Sequence, residues 1–71
     1  MLNGKSTETA HAENRDYLLR QFPRIDREHV LDTYQGIVDK ISEGARINLD
    51  TIPHLARTIT VRALNDYRGQ A

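Results

Sequence analysis

Val30, Tyr34, Ile37, Val38, Ile41 and Ala45 recur at steps of three and four residues. At about 100° per residue they fall within a single arc about 100° wide, so an α-helix gathers them on one face whereas a strand would scatter them over two. The spacing predicts a helix over 27–43. Asp26 stands where an N-cap accepts from the exposed first-turn amides, and Glu28 lies near the positive end of the helix dipole. Gly44 can supply a left-handed residue that ends the helix. Tyr34, Ile37 and Ile41 are the positions expected to lie deepest.

A second stripe, Ile52, Leu55, Ala56, Ile59, Ala63 and Tyr67, predicts a helix over 51–68. Asp50 is its expected N-cap, and Pro53 is tolerated because first-turn amides have no helical partner. Leu18, Leu19 and Phe22, with Tyr17 beside them, mark the apolar side of a helix over 7–21. Pro23 ends it by disfavouring helical geometry at Phe22. No window alternates with period two long enough for a half-buried strand. Three amphipathic helices joined by short links, near 22–26 and 44–50, can each bury one stripe only by packing together. The expectation is therefore all-α: a compact three-helix bundle forming one domain over 1–71, with 1–6 as a flexible N-terminal tail.

Seventy-one residues with no cysteine leave stability to packing alone, near the size limit at which one core outweighs chain entropy. The longest apolar run is three residues, Tyr17 to Leu19, too short for a membrane span or the core of a signal peptide, so a soluble cytoplasmic protein is expected. Ten basic and ten acidic residues cancel. Their distribution does not: residues 26–50 carry three positive and six negative charges, residues 51–71 three and one. Gly4-Lys5-Ser6-Thr7 matches the end of a phosphate-binding loop, but only three residues precede it and that loop needs an earlier glycine and a strand. Ser6 or Thr7 reads instead as a cap for the first helix.

No constellation proposes a reaction. His11, His29 and His54 lie in separate segments without the i, i+4 pairing that sets two imidazoles on one helical face, so no metal or other cofactor is expected. Asp26, Glu28, Asp32, Asp39 and Glu43 read as a solvated acidic face rather than paired catalytic carboxylates. Ser42 has no obvious base and falls at a helix end, and no enzyme activity is expected. Arg57, Val61, Leu64 and Arg68, at steps of four, three and four, form a second stripe on the third helix about 100° or more from its core stripe. Arginine stems and aliphatic side chains together suit a helix that docks a protein. The expected function is therefore a non-catalytic interaction module. Its partner is an unidentified protein, a second copy of the chain included, with the acidic second helix as complement. Leu64 fits equally a core widened beneath the first helix. The alternative is a small nucleic-acid-binding regulator using the basic third helix. Against it, the only link short enough for a helix-turn-helix leads into the acidic second helix. Arg46, just past the second helix, is placed to bond its last carbonyls.

The stretch from Leu18 to Phe22, then His29-Val30, Tyr34, Ile41, Gly44-Ala45-Arg46-Ile47, Pro53, Leu55-Ala56 and Val61-Arg62-Ala63-Leu64, resembles a family of short bacterial proteins catalogued only as a domain of unknown function. The likeness covers about two thirds of the chain. Thr58 and Thr60 stand where arginine or an aliphatic residue is expected. The resemblance implies a bacterial source and a small helical fold, and it lends no active-site residue.

Overall fold

A computed structural model describes residues 7–44 and 50–70, so Arg46 and the 1–6 tail lie outside the described residues. Three helices, α1 (Thr7–Gln21), α2 (Arg27–Gly44) and α3 (Ile52–Gln70), form an all-α bundle in which each helix packs on both others. α1 stops at Gln21, just before Pro23. The chain then reverses in a turn closed by Ile25 N–H donating to the Phe22 carbonyl, 3.3 Å, with Pro23 at the second position, where its fixed φ suits the turn. The Asp26 carbonyl accepts from Val30 N–H at 3.0 Å, which puts Asp26 at the N-cap position of α2, but among the described residues its side chain makes no bond to a first-turn amide. α3 starts one residue later than expected, because Thr51 rather than Asp50 supplies the first accepting carbonyl, to Leu55 N–H at 3.1 Å. Gly44 is the last helical residue of α2 and does not take the left-handed conformation.

The core is Leu18 and Phe22 from α1 and its end, Val30 and Tyr34 from α2, and Ala56 and Leu64 from α3, with Ile52 also buried. Ile37 and Ile41 were expected among the deepest side chains but are half-buried, because the line of contact runs through Val30 and Tyr34. α3 departs further. Its buried row is Ile52, Ala56, Thr60 and Leu64, whereas Ile59 and Tyr67 remain 44% and 47% exposed. An i, i+4 row is the ridge that one helix sets into the groove of another, and it slants about 40° per step around the axis. Following that ridge turns the buried face of α3 by about 60° from the hydrophobicity pattern, towards α1. A continuous ridge between two neighbours outweighs the half-exposure of one isoleucine.

This register buries the Thr60 hydroxyl with no hydrogen-bond partner among the described residues. A buried hydroxyl without a partner costs about 1–3 kcal/mol of desolvation. Thr60→Val keeps the shape and removes the cost, so it should raise the unfolding free energy by about 1 kcal/mol in urea titrations. A lower midpoint would place the α3 register elsewhere.

One polar cluster ties all three helices together. The Asn14 amide nitrogen donates to the Tyr34 hydroxyl at 2.9 Å and to the Pro53 carbonyl at 2.8 Å, which uses both of its hydrogens. The Tyr34 hydroxyl lies 2.5 Å from His11 Nδ1, and the two rings meet edge to face with centroids 5.6 Å apart. A hydroxyl that accepts from Asn14 is free to donate to that ring nitrogen. Burial pushes the Tyr34 phenol above its ordinary pKa, against the opposing pull of the Asn14 hydrogen bond and the nearby Arg15 and Arg57 cations.

A candidate docking groove at the α1–α2 turn

The four residues of the Phe22–Ile25 turn and Arg68, near the end of α3, line a groove of about 100 Å³. Its position follows from the backbone. Phe22 is drawn into the core, Pro23 and Arg24 are lifted to the surface at the centre of the turn, and Ile25 returns half-buried against the core. α3 brings Arg68 alongside, with its guanidinium carbon 5.9 Å from the Phe22 ring centroid, within cation–π range. The floor is apolar and the rim carries two guanidinium groups. Neither Arg24 nor Arg68 has a carboxylate partner among the described residues, whereas Arg20, one turn before the groove, is paired with Asp16 at 3.1 Å. Near the same end of the bundle the exposed Tyr67 ring stacks on His29, with centroids 4.3 Å apart and planes 30° apart.

The four residues expected to form a docking stripe on α3 meet different fates. Leu64 is fully buried in the core, which removes it from any surface, and Val61 is half-buried against the same cluster. The Arg57 guanidinium lies 5.1 Å from the ring centroid of Tyr17, on α1. Arg68 alone is both exposed and beside the groove. The physical reason is the turn of α3 towards α1: the stripe becomes the seam between those helices, with its guanidinium groups set over the Tyr17 and Phe22 rings. Phe22, Pro23, Arg24 and Ile25, the other four lining residues, were legible in sequence only as a core residue and a helix stop. A proline at the second position of a short link, followed by an arginine between two apolar residues, was the available signal.

The three histidines stand apart. His11 meets Tyr34, His29 meets Tyr67, and His54 is exposed with its carbonyl accepting from the Thr58 hydroxyl at 3.1 Å. No group of three His, Asp or Glu side chains that could hold a metal ion occurs among the described residues. No helix of the described residues is long and apolar enough to cross a membrane. No family model matches this chain, nor does any curated protein or solved structure.

Proposed function

We propose that this protein is a non-catalytic interaction module that docks an acidic protein segment carrying an aliphatic side chain in the Phe22–Arg68 groove. The observation that carries the proposal is the pairing of an apolar floor with two guanidinium groups that have no carboxylate partner among the described residues. Side-by-side cations favour an anionic occupant, and the fork geometry of arginine suits carboxylates. A groove of about 100 Å³ accommodates one side chain of a larger partner rather than a drug-sized substrate. Among the described residues that line it, arginine is the only ionisable one, and arginine stays charged at neutral pH, so these residues offer no general base.

The alternative, nucleic-acid binding, draws support from the exposed Tyr67–His29 stack near Arg68, an arrangement on which a base can stack. Against it, the exposed carboxylates of Asp26, Glu28 and Asp66 at the same end of the bundle interrupt the continuous basic surface that a phosphate backbone tracks along, whereas a short acidic segment needs only the two guanidinium groups. Titrating the labelled protein with a short peptide that places one leucine between glutamates should shift the amide resonances of residues 22–25 and 68. The glutamine analogue should not, and Arg24→Glu with Arg68→Glu should abolish the shifts while circular dichroism stays unchanged. A thymidine oligonucleotide that instead shifts His29 and Tyr67, with affinity falling steeply as salt rises, would replace the protein partner with nucleic acid. Unchanged spectra with both probes would remove the groove as a binding site.

A further inference from the structure

Gly36 occupies the middle of α2, where glycine destabilises a helix by about 1 kcal/mol relative to alanine. Nothing among the described residues accounts for it. Its backbone is not left-handed, and a Cβ built there would meet no atom of the described residues within 4 Å beyond its chain neighbours and its own helical backbone. The residues that share its face are His29, Asp32, Lys40 and Glu43, at offsets of −7, −4, +4 and +7 from Gly36. These spacings keep all five positions within an arc of about 80° on one side of the helix. Asp32, Gly36, Lys40 and Glu43 are exposed and His29 is half-buried. Neither Asp32 nor Lys40 has an ion-pair partner among the described residues.

The stripe reads symmetrically about Gly36, and its charges are complementary under that symmetry. Two copies of α2 laid antiparallel across a two-fold axis at Gly36 set Asp32 against the partner's Lys40, Lys40 against the partner's Asp32, and the His29 imidazole against the partner's Glu43. The two glycines meet at the crossing point, where missing side chains let helix axes approach to about 8 Å. Beside this stripe, on the flank of α2 next to α3, lie the half-buried Thr33 and Ile37. Ile59 joins them: it lies about 200° around α3 from Arg57, which reaches to Tyr17 of α1, so it falls on the flank that meets α2. That flank supplies apolar surface that charge pairs alone lack.

We infer that the Gly36 face of α2 is an isologous surface on which a second copy of this chain docks antiparallel. The inference goes beyond the groove proposal and does not depend on it, since the two surfaces share no residue. Identical patches that complement themselves are what a two-fold dimer requires, and the charges fix direction and register while the glycine contact sets the distance. A single pair of 18-residue helices buries an area at the small end of specific interfaces, so the dimer dissociates on dilution.

Sedimentation equilibrium over a concentration series tests it. The parent protein should rise from its monomer mass of 8.1 kDa towards twice that value. Asp32→Lys turns two attractive pairs per dimer into two repulsive ones and should weaken association about tenfold. Adding Lys40→Asp to the same chain should restore it to within about threefold, because both pairs return with their signs exchanged. Gly36→Glu should abolish the dimer while leaving helicity intact or increased, since glutamate is the better helix former and has open space in the monomer. A parent that stays monomeric at about millimolar concentration, a charge-reversed variant that associates like the parent, or a double exchange that fails to recover would each overturn the inference. Peptide binding at the groove in such a monomer would leave the proposed function standing.

Discussion

Leu64→Ala is expected to lower the unfolding free energy by about 2–5 kcal/mol, the cost of removing a fully buried leucine and leaving part of its cavity unfilled. In a 71-residue bundle without disulfides, that is a large share of the total stability. Ile59→Ala, five residues earlier on the same helix and 44% exposed, should cost under about 1 kcal/mol by comparison. The contrast measures the register of α3 directly. The hydrophobicity pattern places Ile59 in the core and Leu64 on a second stripe, and the packed bundle reverses them. Urea melts of the two variants, at equal helicity, separate these alternatives. Similar losses for both would mean that α3 presents its apolar stripe to the core and that the ridge through Thr60 is wrong.

Asn14→Ala should be the most costly polar substitution, at about 2–3 kcal/mol. It removes two hydrogen bonds, one to the Tyr34 hydroxyl and one to the Pro53 carbonyl, and leaves a buried hydroxyl short of a donor. Thermal unfolding followed by circular dichroism should show the loss, and a variant that melts like the parent would rule out the cluster as a stabilising element. Tyr34 also gives the protein an alkaline limit. Because burial raises its phenol pKa in the fold above the unfolded value of about 10, the folded state holds its proton where the unfolded chain releases it. Stability is therefore fully present below about pH 10 and falls as pH rises through the folded pKa. Tyr34→Phe should lower stability at neutral pH and flatten that alkaline decline.

Much of the architecture was legible in the residues, and the reasons are local. Helix period, the acidic cap at Asp26 and the stop at Pro23 act within a few positions of chain, so element type and position could be read to within a residue or two. The stripe through Val30 and Tyr34 held because α2 meets both neighbours along that line. The candidate groove was less legible. Arg68 stands out in the sequence for its place among aliphatic residues, but the turn residues that face it are about 45 positions away, and only folding brings the two together.

By itself, then, the sequence determined that there are three helices, roughly where each begins and ends, and that no alternation supports a sheet, because these depend on period and on caps within single segments. It did not determine how α3 is turned. An amphipathic helix with apolar or amphipathic side chains around more than half its circumference can present several faces, and the one buried depends on where two other helices already lie. Tertiary structure decided that Thr60 is inside and Ile59 is half outside, and that Leu64 is a core residue. It also buried Asn14 and half-buried His11, polar residues with no hydrophobic signal, as partners of Tyr34. Burial of a polar side chain is favourable only when its hydrogen-bonding groups arrive from other helices, and that condition is met in three dimensions, never along the chain.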